Sequence, residues 1–221
     1  LKKIFNRKIN ELNLTELFLK IEQPLLFVLS EVEGNGVKID VDFLKSMSIS
    51  LSEQITFTEK KIYKETGEVF NISSPKQLGV VLFEKLNIEE KPKKTKSGQY
   101  STSEDVLLKM SKKNSVVNLI LEYREFKKLK YTYVDAIPII VSKSDNIIHT
   151  NYVQALTSTG RLSSNNPNLQ NIPIKTLDGK EIRKAFIAEK NNILISADYN
   201  QIEMRILADM ADVKELKKAF R

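Results

Sequence analysis

The sequence contains no cysteine and a single histidine, His149. Disulfides and thiolate metal sites require cysteine, so both are excluded, and the composition agrees with a reducing compartment. One histidine also excludes a metal site built from several imidazoles. No apolar run approaches the roughly 20 residues needed to cross a bilayer, and the N-terminus lacks a signal-peptide layout. From these absences we expect a cytoplasmic protein that does not associate with membranes.

The remaining composition is that of a globular chain that can bury a core. Of its 221 residues, 41% are hydrophobic and 29% are charged, and this length allows one or two domains. The 35 basic residues exceed the 28 acidic ones, giving a formal net charge of +7. A basic excess favours a polyanionic partner, although a lysine-rich composition alone produces the same number.

Helical patterns fill the first two thirds of the chain. Two helices are predicted over residues 11–33, meeting at Pro24, and a long helix from Val41 to about Thr66 ends at Gly67. Further helices are predicted to begin at Ser74-Pro75, near Ser103 and near Ser115, with Ser103 capping its helix and a polar, lysine-rich loop over residues 87–100.

After Ser142 the pattern changes to strands and turns. Strands are predicted over residues 147–155 and 182–188, and a buried strand at residues 193–195, followed by a helix from Gln201. The fold class is therefore predicted as α+β and predominantly helical.

Asp198 lies between the predicted last strand and the predicted last helix. A carboxylate at such a junction is rigidly held yet open to solvent, as a hard cation such as magnesium requires. A simple helix cap is the alternative role for an aspartate in this position.

Three segments carry a family resemblance. They are Asp198-Tyr199-Asn200-Gln201-Ile202-Glu203-Met204-Arg205, Thr159-Gly160-Arg161-Leu162-Ser163-Ser164 and Pro167-Asn168-Leu169-Gln170-Asn171-Ile172-Pro173. The segment at residues 198–205 follows the other two along the chain, and in that sequence order the three closely resemble the family A DNA polymerases, the DNA polymerase I type. Asn200 and Met204 depart from the serine and leucine that the family usually has there. Weaker matches extend back through residues 123–130 and 101–103.

The resemblance implies a division of the chain. Residues 1–40 resemble the tail of an exonuclease-like domain and its linker, residues 41–140 the helical thumb, and residues 141–221 the first part of the palm with a short antiparallel sheet. The fingers and the rest of the palm are expected to be absent. A proofreading exonuclease is not expected, because no paired acidic metal motif occurs in the N-terminal part.

The resemblance also implies half of a polymerase active site. Asp198 corresponds to the catalytic, metal-bridging aspartate, and the backbone carbonyl of Tyr199 to a further ligand, for two Mg²⁺ ions in the complete enzyme. Gln201 and Glu203 correspond to nucleotide-binding positions, Glu203 selecting deoxynucleotides by blocking a 2′-hydroxyl. A solvated helix residue is the alternative for Glu203. The second catalytic carboxylate is expected to be absent, since the nearby acids Asp209 and Asp212 are poor substitutes.

DNA contacts are implied in both regions. Arg161 would enter the minor groove at the primer terminus, and the further palm contacts would be Asn168, Gln170, Asn171 and Lys175. In the thumb, a phosphate clamp would comprise Arg124, Lys128, Lys130, Thr102 and Ser103. The alternatives are an ordinary turn for the palm loop, a solvated charged face for the thumb cations, and helix capping for Thr102 and Ser103.

The leading hypothesis is thus a piece of a template-directed DNA polymerase. It would bind primer-template DNA, and deoxynucleoside triphosphates in the complete enzyme, but would be inactive alone. The alternative is a non-catalytic nucleic-acid-binding protein derived from the same fold. A single-subunit RNA polymerase is a third hypothesis, against which Glu203 and the Arg161 segment argue. The oligomeric state is left open.

Overall fold

The computed structural model describes residues 1–174 and 176–220. It divides into two compact units, Leu1–Ile187 and Ala188–Arg221. The predicted boundaries near residues 40 and 140 both fall inside the first unit. The predominantly helical α+β class is confirmed.

The first unit contains nine of the α-helices assigned in the described chain. They are α1 (Lys2–Glu11), α2 (Thr15–Leu17), α3 (Gln23–Asn35), α4 (Val41–Thr66), α5 (Pro75–Val80), α6 (Glu104–Ser111), α7 (Ser115–Lys128), α8 (Ala136–Ile140) and α9 (Leu177–Arg183). Three of them, α2, α5 and α7, continue into π-helical turns at Phe18–Glu22, Val81–Lys85 and Leu129–Val134. Within the described residues, no helix is long and apolar enough to span a membrane.

The long helix α4 has the predicted bounds because both of its ends are capped. The Asp40 carboxylate accepts a hydrogen bond from the Phe43 amide at 2.9 Å, and Gly67 ends the helix in the left-handed conformation, with φ 75°. Leu44, Leu51 and Ile62 are buried at helical spacing. Helix α4 packs along α7. Leu44 and Leu51 belong to one apolar cluster of the unit, and Ile62 belongs to the other.

Among the described residues of the same unit, five short strands form two antiparallel sheets. The first sheet has the order β2-β1-β5, from β1 (Val37–Ile39), β2 (Ile147–Ile148) and β5 (Phe186–Ile187). In the second sheet, β3 (Asn151–Val153) pairs with β4 (Ser163–Asn165). The predicted strand over residues 147–155 is thus divided into β2 and β3.

The strand predicted over residues 182–188 is wrong for most of its length. The Thr176 hydroxyl accepts a hydrogen bond from the Gly179 amide at 3.2 Å and so caps α9. Ile182 and Ala185, both fully buried, then follow a helical spacing. The strand β5 is limited to Phe186–Ile187 because the preceding residues belong to α9 and to the turn that follows it.

In the second unit, two helices are assigned over residues 188–220: α10 (Ile202–Met210) and α11 (Lys214–Ala219). The guanidinium of Arg205 links the segment before α10 to the end of α11. Its Nε donates to the Asn200 carbonyl at 2.8 Å, and another nitrogen donates to the Phe220 carbonyl at 2.8 Å. Arg205 also lies over the Phe220 ring.

Candidate nucleic-acid interface and metal ligand

Arg161 lies in the loop that joins β3 to β4. Tyr152 and Val153 pair with Ser164 and Ser163, so residues 154–162 form the end of this hairpin. The backbone carbonyl of Arg161 accepts a hydrogen bond from the Thr157 hydroxyl at 2.7 Å, and the side chain is exposed. An arginine on a braced loop presents a planar fork of donors suited to phosphate or base-edge oxygens.

A buried hydroxyl network fixes the segment that follows Arg161. Thr150 and Ser164 are 5% and 0% exposed, and their hydroxyl oxygens lie 2.7 Å apart. The Thr150 hydroxyl donates to the Pro167 carbonyl at 2.7 Å, and the Leu169 amide donates to Ser164 at 3.0 Å. These two residues were not predicted to have a role. Two sequence features could have indicated a role. Thr150 is a hydroxyl residue within the predicted strand over residues 147–155, and Ser164 is the second of the two serines that end the Thr159–Ser164 segment.

The three predicted amide contacts have different surroundings. The Asn168 side chain accepts a hydrogen bond from the backbone amide of Gln170 at 3.0 Å and caps the 3₁₀ turn Leu169–Asn171. The Gln170 side chain accepts from the Ser164 amide at 3.2 Å and donates to the Leu162 carbonyl at 3.1 Å. Gln170 therefore supports the Arg161 loop from within the chain. The Asn171 side chain is exposed. Lys175, the fourth predicted contact, lies outside the described residues.

Arg124 is bound inside the helical region. Its guanidinium donates to the backbone carbonyl of Thr102 and, at 3.1 Å, to the Thr102 hydroxyl. Burial lowers the pKa of Arg124 from its ordinary value. Thr102 is itself only 5% exposed. The pair thus ties the segment before α6 to α7, and it lies in the wall of a cavity of about 530 Å³.

The predicted start of α6 is confirmed, but the predicted side-chain cap is not formed. Ser103 occupies the N-cap position, but its side chain accepts no helix amide. Its hydroxyl donates to the Asp105 carboxylate instead, and this hydrogen bond lowers the pKa of Asp105. Ser103 nevertheless faces the same cavity as Thr102. Hydroxyl and cationic side chains line much of its wall: Ser73, Thr95, Ser101, Thr102, Ser103, Arg124 and Lys127.

The predicted clamp lysines, Lys128 and Lys130, point to different environments. Lys130 is 13% exposed, and its ammonium lies 3.0 Å from the Asp135 carboxylate. It also donates to the Ser48 carbonyl at 3.3 Å. Lys128 is exposed. The geometry therefore leaves Lys128 available to a phosphate, whereas Lys130 has a structural role between α4 and the end of α7.

This contrast gives a matched prediction for stability. Replacing Lys130 with alanine is expected to lower the free energy of unfolding by about 2 kcal/mol, because Asp135 loses its charged partner. Lys128→Ala should change it by less than about 0.5 kcal/mol, as is usual for an exposed residue. Urea unfolding followed by circular dichroism measures both values. Equal losses in the two variants would contradict the assignment.

Residues 193–195 do not form the predicted buried strand. Ile193, Leu194 and Ile195 are 81%, 61% and 82% exposed, and residues 188–220 contain no assigned strand. A strand needs a hydrogen-bonded neighbour and an apolar layer, and neither contacts this segment within the unit. An apolar β-branched run alone is therefore insufficient.

The capping alternative for Asp198 is also excluded. Gln201, with φ 52°, is the N-cap residue of α10, and no side chain caps the helix. Asp198 lies earlier in an exposed segment without regular structure. Tyr199 and Gln201 are exposed too, and Glu203 lies on the first turn of α10.

Oxygen ligands for a cation are only partly provided by this unit. The Asp198 carboxylate and the Tyr199 carbonyl are hard donors of the kind that Mg²⁺ prefers. Asp209 and Asp212 lie 2.9 and 3.0 Å from the Lys217 ammonium, which lowers the pKa of Asp209. In the part of the chain described, no three acidic or imidazole groups form a metal cluster. The donor type fits magnesium, but the set is incomplete.

A helical arm joined to a small antiparallel sheet is also found in a polymerase domain. The chain superimposes with a TM-score of 0.86 on the POL domain of Pol1 from M. smegmatis, solved in complex with DNA primer-template and dNTP. The two are 36% identical, and the match covers 98% of this chain and 38% of that one. The architecture is therefore that of part of a DNA polymerase domain.

Sequence comparison gives the family. The model for DNA polymerase family A matches residues 41–221, and the chain belongs to this family. DNA polymerase I from Synechocystis sp. is 48% identical over 208 residues, and that from Bacillus subtilis is 48% identical over 206 residues. These matches cover 94% and 93% of this chain but 21% and 23% of the relatives. The chain spans less than a quarter of the relatives' length.

Proposed function

We propose that this chain is a fragment of a template-directed DNA polymerase that binds primer-template DNA. The complete enzyme would transfer nucleotides from deoxynucleoside triphosphates to a primer 3′ end. The observation that carries the proposal is the braced β3–β4 hairpin with its exposed Arg161. The superposition on a polymerase domain solved with primer-template DNA supports it.

The proposed DNA contacts come from two parts of the first unit. Arg161 and Asn171 would meet the duplex from the palm side, while Gln170 and Asn168 hold their loop in place. In the thumb, the cavity lined by Ser103 and neighbouring hydroxyls would accept a backbone phosphate, with Arg124 and Thr102 forming its wall, and Lys128 would add a further phosphate contact. We assign residues 1–40 to the end of an exonuclease-like domain, 41–140 to the thumb and 141–221 to the palm.

The proposed nucleotide site lies in the second unit. Asp198 and the Tyr199 carbonyl would hold Mg²⁺, which neutralises triphosphate charge when bound. Gln201 would contact the nucleotide, and Glu203 would exclude a 2′-hydroxyl from the sugar position. Lys217 engages both Asp209 and Asp212, so neither is a good second metal carboxylate. We therefore propose that the chain alone binds primer-template DNA without extending it.

Primer extension tests this division of roles. The purified chain is incubated with labelled primer-template, Mg²⁺ and all four deoxynucleotides, and the products are separated by length. We expect binding in a gel-shift assay and no extended primer. Extension that is lost in the Asp198→Asn variant would show that the chain completes its own metal site.

A further inference from the structure

Helix α3 and the residue before it contact the hairpin that carries Arg161. The Glu33 carboxylate accepts a hydrogen bond from the backbone amide of Tyr152 in β3. The Gln154 side chain, just after β3, donates to the Glu22 carbonyl at 3.0 Å and to its carboxylate at 2.7 Å. These contacts join positions more than 100 residues apart and lie entirely within the first unit.

His149 adds a third connection at the start of the hairpin. Its Nδ1 lies 2.8 Å from the Glu33 carbonyl oxygen, and its Nε2 lies 3.0 Å from the Asp145 carboxylate. Both partners are acceptors, so only the doubly protonated imidazolium donates to both. The Glu33 carbonyl, followed by Asp145, raises the pKa of His149.

Two acidic residues hydrogen-bond to this imidazole, and the neighbouring strand β1 contains Lys38. Asp145 precedes β2, and Glu33 lies on α3, with its carboxylate engaged by the Tyr152 amide. Lys38 of β1 pairs with Ile147 of β2 and is exposed. The Asp145 carboxylate is therefore the ionised group bonded to the ring, and it stabilises the charged form.

We propose that Glu22, Glu33 and His149 are positioning residues that hold the β3–β4 hairpin so that Arg161 meets the primer-template. Glu22 and Glu33 precede the family-model match, which begins at residue 41. Strands β3 and β4 form a two-stranded sheet. The Glu33 carboxylate accepts a hydrogen bond from the backbone amide of Tyr152 and so attaches β3 to α3. Fixing β3 limits the motion of the loop at its end. This inference rests on the proposed DNA binding.

A double-mutant cycle between Glu33 and Arg161 tests the positioning role. Primer-template affinity is measured for the wild type, Glu33→Ala, Arg161→Ala and the double variant. We expect Glu33→Ala to weaken binding on the order of fivefold in the wild-type background and by less than about twofold when Arg161 is absent. Glu33→Gln, which keeps an acceptor oxygen, should recover most of the affinity. Equal effects of Glu33→Ala in both backgrounds would overturn the proposal.

Hydrogen exchange separates this inference from the proposed function. Loss of the Glu33 acceptor should speed exchange of the Tyr152 amide without DNA present, and unchanged exchange would overturn the proposal. If the wild-type chain binds no primer-template, the proposed function fails, and the positioning role fails with it. Normal wild-type binding with additive variants rejects the positioning role alone.

The contribution of His149 has a defined pH dependence. The imidazolium contact is complete below the ordinary histidine pKa and is lost as the pH rises through the raised pKa of the folded state. Primer-template affinity of the wild type should therefore fall as the pH rises from the ordinary histidine pKa through the raised pKa of His149, whereas the affinity of His149→Ala should be lower and flatter. A wild-type profile that parallels the variant's would contradict the role of His149.

Discussion

Gly36→Ala is expected to lower the free energy of unfolding by at least about 3 kcal/mol. Gly36 has φ 59° and ψ −160°, a backbone region that residues with a side chain avoid. An added Cβ would lie 2.6 Å from the Ile148 carbonyl oxygen and 2.9 Å from the His149 Nδ1. The carbonyl belongs to β2, which pairs with β1, so relief would require moving the sheet.

Two other glycines provide matched controls for this variant. Gly67 also has a positive φ, 75°, but no atom lies within 4 Å of the position of its Cβ, so Gly67→Ala should cost only about 1–2 kcal/mol. Gly34 is helical with open space, and its replacement by alanine should stabilise the chain by up to about 1 kcal/mol. Urea denaturation of the three variants gives the order. Equal losses for Gly36→Ala and Gly67→Ala would contradict the packing described around β1.

Arg161→Ala is expected to weaken primer-template binding on the order of tenfold at low salt. Arg161 is proposed to place its guanidinium against acceptors in the minor groove, which every base pair presents. The loss should therefore be similar for unrelated sequences. Arg161→Lys keeps the charge but not the planar fork, and it should recover only part of the affinity. Fluorescence anisotropy with labelled primer-template measures each dissociation constant.

The control for Arg161→Ala is Arg7→Ala. Arg7 is an exposed arginine that pairs with Glu11 at 2.7 Å in α1, so its removal makes the same change in net charge. If general charge attraction accounts for binding, both variants will weaken it equally. A specific role for Arg161 predicts that Arg7→Ala binds nearly as well as the wild type. Unchanged binding by Arg161→Ala across several salt concentrations would reject the minor-groove assignment.

Local sequence signals were sufficient where they set the ends of helices. Asp40 and Gly67 cap the two ends of α4. Ser74-Pro75 begins α5, where the Ser74 hydroxyl accepts a hydrogen bond from the backbone amide of Gln77 at 3.4 Å. These caps act within one turn of the chain, so a sequence pattern contains all of their partners. The two helices predicted to meet at Pro24 are confirmed only in part, because α2, the π-helical turn Phe18–Glu22 and α3 follow one another without a break. Pro24 lies in the first turn of α3, where proline is tolerated, and it does not separate two helices.

Prediction failed where a residue's conformation depends on distant partners. Residues 193–195 are apolar and two of the three are β-branched, yet they form no strand because strand formation requires a neighbouring strand. Residues 182–185 instead pack as part of α9 and the turn after it. In both places the periodicity of a short apolar run does not distinguish a strand from other structures.

The candidate site shows the same limit. Its motifs locate Arg161 and Asp198 on the sequence, but they do not tell which neighbouring polar groups face solvent. Gln170, although exposed, hydrogen-bonds to the Ser164 amide, and Lys130 pairs with Asp135, whereas Asn171 and Lys128 are exposed residues predicted to contact DNA. Contacts within the folded chain distinguish Gln170 from Asn171 and Lys130 from Lys128. Neighbouring side chains of similar chemistry therefore have different roles.

The salt dependence of primer-template binding by the purified chain tests the central claim most directly. Anisotropy titrations with two unrelated primer-template sequences should give equal dissociation constants at each salt concentration. The logarithm of the affinity should fall linearly with the logarithm of salt concentration, as cationic side chains replace phosphate counterions. Absence of binding at about 50 mM salt, where this attraction is strong, would contradict the account. Strong preference for one of the two sequences would contradict it equally.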